Sequence, residues 1–64
     1  MNRRKLERWL KEHDCHLERH GGGHDIWMRE GSIKGVPVPR HNEIKRETVT
    51  SICRSFGIPK PPEK

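Results

Sequence analysis

The sequence predicts one α+β domain in the order helix, three antiparallel strands, helix, with both helices on one face of the sheet. Apolar residues recur at helical spacing near each end of the chain, over residues 6–13 and 49–56. The part between them carries short alternating segments separated by glycine-containing turns, which is typical of strands. Each helix has a single apolar stripe, so both stripes must be buried on one shared sheet face. We expect this domain to span residues 1–58, followed by a flexible proline-rich tail over 59–64.

The composition is that of a small basic protein with a small core. Of 64 residues, 28% are hydrophobic and 36% are charged, and the formal net charge is +5. This size is close to the lower limit for an unaided core. The excess positive charge favours polyanionic or acidic partners. No apolar run has the length of a signal sequence or a membrane span, so we expect a cytoplasmic protein without a membrane partner, in which Cys15 and Cys53 are reduced and buried.

The first helix is predicted to begin after Asn2, whose side chain can cap it, and to end at His13 before the unfavourable Asp14. Its inner stripe is Leu6, Trp9, Leu10 and His13. A second face carries cations at helical spacing, namely Arg4, Arg8 and Lys11. Arg3, Arg4 and Lys5 stand in the first turn, where the helix dipole disfavours cations, so a bound anion would explain the basic residues of this helix better than fold stability does. We interpret this face as a phosphate-binding surface, with a solvated basic face as the alternative.

Two strands are predicted on either side of a glycine loop. The first is Cys15–Arg19, with Cys15 and Leu17 facing the core. The second strand is His24–Arg29. Alternation places His24, Ile26 and Met28 on one face of this strand, and Asp25, Trp27 and Arg29 on the other. We expect the first set to face the core, with His24 at its rim.

Trp27 would then lie on the outer face of the sheet beside Arg29. An exposed tryptophan next to an arginine can stack on a nucleic-acid base or contact a protein partner. Alternatively, the indole covers the outer side of the sheet.

The third strand and the second helix follow a turn at residues 30–34. The strand, residues 35–39, directs Val36 and Val38 inward, and Pro37 places it at a sheet edge because proline cannot donate to a ladder. The helix spans Arg46–Ser55 and stops at Gly57, and its inner stripe is Val49, Ile52, Cys53 and Phe56. Lys45 and Arg46 stand at its N-terminus, where free N–H groups favour phosphate.

The glycine loop is the most unusual segment of the chain. Three consecutive glycines suit a tight loop or a close approach of another backbone. They are followed by His24, whose side chain can give or take a proton near neutral pH. Because Gly22 and Gly23 have no side chains, His24 is sterically open to a large ligand. The alternative is a hairpin loop with a solvated histidine.

Three segments occur in an order that resembles a known family. They read Gly-Gly-His24-Asp-Ile-Trp, Val-Pro-Val-Pro-Arg-His41 and Thr48-Val-Thr-Ser-Ile-Cys-Arg-Ser-Phe-Gly-Ile58. Together they resemble the HicA toxins, over Leu6 to Ile58. The resemblance implies a fold like that of double-stranded-RNA-binding domains, which also have the predicted order of elements. It further implies a type II toxin that cleaves mRNA without metal or cofactor and is neutralised by a HicB-like antitoxin protein.

The resemblance assigns the catalytic histidine to His24, and the chain departs from the family pattern on both sides of it. The family loop usually reads Gly-Ser-His-His; Gly22 and His24 match, whereas Gly23 replaces the serine and Asp25 the second histidine. A carboxylate next to His24 would raise the pKa of its imidazole if the two were close. On a regular strand, however, they point to opposite faces.

RNA hydrolysis through the 2′-hydroxyl requires positioning, a proton acceptor and a proton donor. A well-placed histidine supplies a factor of roughly 10²–10⁴ by general acid–base action. We assign this role to His24, and charge stabilisation to the phosphate binders Arg4, Arg8, Lys11, Lys45 and Arg46. His41 is a second candidate for the other proton, its alternative role being to cap the loop before the second helix.

Two other classes of function compete with this interpretation. A non-catalytic RNA-binding module of the same fold would keep the basic surface. A metal site could use His13, Cys15, His16, His20 and His24, which lie within twelve residues. Their spacing does not match a known zinc pattern, because His16, His20 and His24 would share a face only on a helix, which the glycines forbid. We therefore expect no metal.

Overall fold

A computed structural model describes residues 1–62 and confirms the predicted order of elements. Helix α1 (Arg3–Glu12) is followed by strands β1 (Cys15–His20), β2 (His24–Arg29) and β3 (Gly35–Pro39), and then by helix α2 (Arg46–Phe56). The strands form an open antiparallel sheet in the order β1-β2-β3. Of the predicted tail, Glu63 and Lys64 lie outside the described residues.

Both helices begin where predicted and end within one residue of the predicted positions, α1 at Glu12 and α2 at Phe56. The Asn2 side chain accepts a hydrogen bond from the Arg4 amide at 2.8 Å, which satisfies one of the free donors of the first turn of α1. After α1 the chain turns at Asp14, which has a φ of 66°. Helix α2 ends at Gly57 in the left-handed region, with a φ of 74°, the usual conformation for a glycine at this position.

The core lies between the two helices and one face of the sheet. Helix α1 packs against β1 and helix α2 against β3. The buried hydrophobic residues are Leu6, Leu10, Cys15, Trp27, Val36, Val38, Ile44, Val49, Ile52, Cys53, Phe56 and Ile58. Placement of both helices on one face, as predicted, follows from this shared core.

The face of β2 that packs on the core is the opposite of the predicted one. Trp27 is 2% exposed and lies in the core, whereas Ile26 and Met28 are only half-buried. The pairing register explains the difference, because Trp27 is the partner of Val36 and Asp25 the partner of Val38, and both valines face inward. Partners across a sheet share a face. The prediction that Trp27 is exposed on the outer face, available for stacking or an antitoxin contact, is therefore wrong.

Two further side chains differ from prediction. Leu17 is 40% exposed rather than buried; it lies on the edge strand β1, directly before an irregularity in the β1–β2 register. Arg29 lies on the core-facing side of β2, and its Nη1 donates to the carbonyl of Phe56 at 2.9 Å. That bond satisfies a free carbonyl at the end of α2, so Arg29 has a structural role instead of the predicted outward contact.

The N-terminus is tied to the connection between β3 and α2. The Ile44 amide donates to the Met1 carbonyl at 2.7 Å, and the Arg3 amide donates to the Asn42 carbonyl at 2.9 Å. These bonds place the start of α1 beside the connection. At the other end of α1, Trp9 Nε1 donates to the Pro59 carbonyl at 2.8 Å, so the first tail residue contacts the domain.

Candidate functional site

The glycine loop connects β1 to β2 by a close backbone approach. The Gly21 amide donates to the His24 carbonyl at 2.7 Å. A Cβ atom at Gly21 would lie 2.7 Å from that same oxygen, a distance that excludes any other residue without a backbone shift. At Gly22 and Gly23 a Cβ would meet nothing within 4 Å. The fold therefore requires glycine only at the first of the three positions, and the other two border open space.

A charged cluster holds this loop from one side. Asp25 is 7% exposed, and its Oδ1 lies 2.8 Å from His20 Nδ1 and 3.4 Å from Arg40 Nε. The ionised carboxylate can only accept, so His20 Nδ1 carries the proton. Arg40 Nη2 donates to the carbonyls of Gly21 and Gly22, at 2.6 Å in each case. The loop is thus held by Arg40 at the end of β3, and Asp25 at the start of β2 holds Arg40 in turn.

Sequence reasoning missed this cluster. It placed Asp25 on the outer face, and it named neither His20 nor Arg40 as part of the loop's support. The antiparallel register of β2 and β3 could have indicated the cluster. It pairs Asp25 with the inward-facing Val38, which places the carboxylate on the core side of the sheet. It also pairs His24 with Pro39, so that Arg40 follows directly beside the loop. The structure agrees with the prediction that Asp25 and His24 point to opposite faces.

His24 is exposed at the first position of β2 and lines a groove of about 390 Å³. The other walls come from β3 and from the polar side of α2, with Val36, Pro37, Pro39, Glu47, Thr48, Ser51, Ile52 and Ser55 as lining residues. An imidazole in such a position can exchange a proton with a bound molecule, and the hydroxyl groups of α2 can donate hydrogen bonds to it.

The predicted phosphate binders do not line this groove. Arg4, Arg8 and Lys11 are exposed along α1, which packs over β1, at the other edge of the sheet from β3 and α2. Lys45 is the exposed N-cap residue of α2. Arg46 lines a separate cavity of about 660 Å³, together with Lys5 from α1. The structure therefore divides the predicted basic residues between the surface of α1 and the junction of the two helix N-termini.

His41 is exposed in the connection after β3. Among residues 1–62 it makes no hydrogen bond, and α2 has no side-chain cap. The alternative role of His41 as a cap of this connection is therefore not observed.

The cysteines and histidines do not form a metal site in the described part of the chain. Cys15 and Cys53 are free and buried, as predicted. Burial raises the pKa of both thiols, the effect on Cys15 being partly offset by the nearby Arg29. Over residues 1–62, no group of three or more histidine, cysteine or acidic side chains is placed to hold a metal ion. Over the same residues, no helix has both the length and the apolar character that a membrane span needs.

A family model described as the HicA toxin of bacterial toxin–antitoxin systems matches residues 3–58. This chain belongs to the HicA toxin family. The match covers both helices, all three strands, the glycine loop and Arg40. Membership implies an antitoxin partner. No curated protein and no solved structure matches the chain significantly.

Proposed function

We propose that this HicA-family toxin is a metal-independent endoribonuclease that cleaves mRNA, with His24 as the acid–base group. The observation that supports it most directly is the position of His24, exposed at the end of an unobstructed glycine loop and on the wall of a groove. A phosphodiester can reach the imidazole there without displacing a side chain of the loop.

The chemistry needs only groups that RNA and the protein supply. The 2′-oxygen forms a bond to the adjacent phosphorus, and the bond from phosphorus to the 5′-oxygen breaks. His24 either takes the proton of the 2′-hydroxyl or gives one to the departing 5′-oxygen, and solvent or a second group handles the other proton. The products are a 2′,3′-cyclic phosphate and a 5′-hydroxyl. His41 stays a candidate for the second group.

The basic surface supports binding of the RNA backbone. The charge of +5 and the exposed cations of α1 favour a polyanion irrespective of its sequence. Arg3 Nη1 donates to the Arg40 carbonyl at 2.6 Å, so the basic N-terminal end of α1 lies near the segment that supports the loop. RNA that follows the α1 surface would thereby approach the loop.

The decisive experiment is His24→Ala, assayed on a defined RNA oligonucleotide. His24 is exposed, so its removal should cost much less than the 2–5 kcal/mol of a core deletion. We expect an unchanged circular dichroism spectrum, retained RNA binding and a cleavage rate at least about a hundredfold lower. His16→Ala removes another exposed histidine and serves as the matched control.

Chelator-treated wild-type protein should cut as fast as untreated protein, and RNA with a 2′-deoxy nucleotide at the cut site should resist cleavage. A folded His24→Ala protein that cuts at the wild-type rate would refute the assignment and make His41 the next residue to replace. RNA binding without cleavage by the wild type would instead favour the non-catalytic RNA-binding module.

We also propose that the antitoxin is a HicB-like protein that covers the exposed basic surface. Expression of the chain alone should inhibit growth, and co-expression with the acidic antitoxin encoded beside it should restore growth through a stable complex. His24→Ala should still bind that antitoxin, because a protein interface of standard size spreads its affinity over more than one imidazole. Normal growth during strong expression of the chain alone would contradict the proposal.

A further inference from the structure

Arg40 is held in place on three sides. Its Nη2 donates to two successive loop carbonyls, those of Gly21 and Gly22. Its Nε faces the Asp25 carboxylate at 3.4 Å. Its own carbonyl accepts from Arg3 Nη1 at 2.6 Å. A planar guanidinium can meet two carbonyls and a carboxylate at once, which the single ammonium of a lysine cannot do with the same geometry.

Asp25 supports this arrangement from within the protein. It is the one buried charged side chain among the residues that the structure describes, and a buried carboxylate is unfavourable unless it is paired. Its partners are His20 and Arg40, both of which lie beside the loop. The buried charge therefore orients the groups around the loop. For the stability of the core alone, an apolar residue at position 25 would be more favourable.

The bonds from Arg40 fix the direction of two peptide groups. Residues 1–62 contain no cis peptide bond, and in a trans peptide the N–H points away from the C=O. Since the carbonyls of Gly21 and Gly22 face Arg40, the amides of Gly22 and Gly23 point away from it. Neither amide donates a hydrogen bond to any group within residues 1–62. His24 lies on the face of β2 opposite to Asp25, the residue whose carboxylate Arg40 contacts.

We propose that Arg40 is a positioning residue that aims the Gly22 and Gly23 amides at the phosphate of the RNA on which His24 acts. Successive free N–H groups form a concave site for an anion, and fixed donors are most effective at the oxygens where negative charge develops. The open space at Gly22 and Gly23 leaves room for a phosphate. This inference rests on the proposed function, because it names the groups that would hold the reacting phosphate.

The first test separates positioning from charge. Arg40→Gln should lower the single-turnover rate at saturating RNA by about 10- to 100-fold. This decrease is no larger than the one that follows removal of a single oxyanion-hole donor in other enzymes, because Arg40 acts on the donors indirectly. The dissociation constant for RNA should change no more than in Arg54→Gln, which removes an exposed arginine of α2 with the same charge. Arg40→Lys should be impaired nearly as much as Arg40→Gln. A wild-type rate in folded Arg40→Gln, or full rescue by Arg40→Lys, would overturn the proposal.

Thermal melts followed by circular dichroism check that each variant is folded. If Arg40→Gln does not fold, Asp25→Asn provides the second test, because it keeps the shape of the side chain and removes the charge that orients Arg40. Folded Asp25→Asn should lose cleavage rate while it keeps RNA affinity. A rate equal to that of the wild type would count against Arg40 as a positioning residue.

The second test does not depend on cleavage. Uridine 3′-monophosphate is titrated into ¹⁵N-labelled protein, and the amide resonances of Gly22 and Gly23 are followed. We expect both to shift in the wild type and in Arg54→Gln but not in Arg40→Gln. Unmoved glycine amides in the wild type would overturn the inference even if the protein cleaves RNA. Shifted amides in a wild type that does not cleave would refute the proposed function and support the phosphate-binding loop.

Discussion

Trp27 on β2 and Val36 on β3 are direct partners across the sheet, and both side chains lie in the core. The indole contributes one of the largest apolar surfaces of this small core. Its Nε1 is nevertheless buried with no hydrogen-bond partner among residues 1–62. An unsatisfied buried donor costs about 1–3 kcal/mol. Trp27 therefore stabilises the domain through its ring and destabilises it through its N–H group.

Replacement of Trp27 should affect the fold and leave recognition unchanged. We expect Trp27→Ala to lower the free energy of unfolding by about 3–5 kcal/mol, as for other large aromatic deletions in a core. Trp27→Phe should cost much less, since it keeps an aromatic ring and removes the unpaired donor. Urea denaturation measures both changes. RNA affinity should be the same in Trp27→Phe as in the wild type, and a selective loss of affinity would show that the indole contacts RNA.

The helices were predictable because their information is local. Leu6 and Leu10 in α1, and Ile52 and Phe56 in α2, recur at the helical period, and only one choice of buried face is consistent with that spacing. The capping residues are equally local, because the Asn2 side chain and the Gly57 backbone act within one turn of the helix that each one bounds.

The orientation of β2 was not predictable in this way. Alternation separates Ile26 and Met28 from Asp25 and Trp27 but does not say which set is buried, because each set contains apolar side chains. The choice depends on partners on another strand, above all on Val36, nine residues after Trp27.

The support of the loop was missed for the same reason. Arg40 is separated from Gly21 by 19 residues, and only the pairing of β2 with β3 brings its side chain to the loop carbonyls. The histidine itself could be identified locally, from the glycines that precede it.

The N-terminus of α2 provides a test of the predicted phosphate contacts. Replacement of both Lys45 and Arg46 by Gln should weaken RNA binding about equally for all sequences. The slope of log K against log salt should shrink by about 0.7 to 0.9 for each lost phosphate contact. Lys34→Gln combined with Arg54→Gln removes the same charge from two other exposed sites and is the control. Equal slopes in the two double variants would show that the α2 N-terminus makes no specific phosphate contact.

The buried thiols should make the domain less stable in alkali. Burial raises the pKa of Cys15 and Cys53 above the usual value of about 8.5, so the folded protein holds these protons more tightly than the unfolded chain. Their contribution is fully present below the unfolded pKa and is lost as the pH rises through the folded values.

We therefore expect the melting temperature to fall as the pH rises above the ordinary thiol pKa of about 8.5. The double variant with Cys15→Ala and Cys53→Ala should show a flatter profile over this range, whatever its absolute stability. Native thiols should also react slowly with a thiol reagent at pH 8. A profile as steep in the double variant as in the wild type would assign the alkaline loss to other groups.

The glycines of the loop should respond in opposite directions to the same substitution. At Gly23 the backbone has no positive φ and the added methyl group would meet nothing within 4 Å. Gly23→Ala should therefore raise the free energy of unfolding by about 0.4–1 kcal/mol, because alanine restricts the unfolded chain more than glycine does. At Gly21 the methyl group would collide with the His24 carbonyl at 2.7 Å, so Gly21→Ala should destabilise the domain by more than that gain. Urea denaturation of the two variants measures the difference directly. A loss of stability in Gly23→Ala as large as in Gly21→Ala would mean that the second half of the loop is packed as closely as the first.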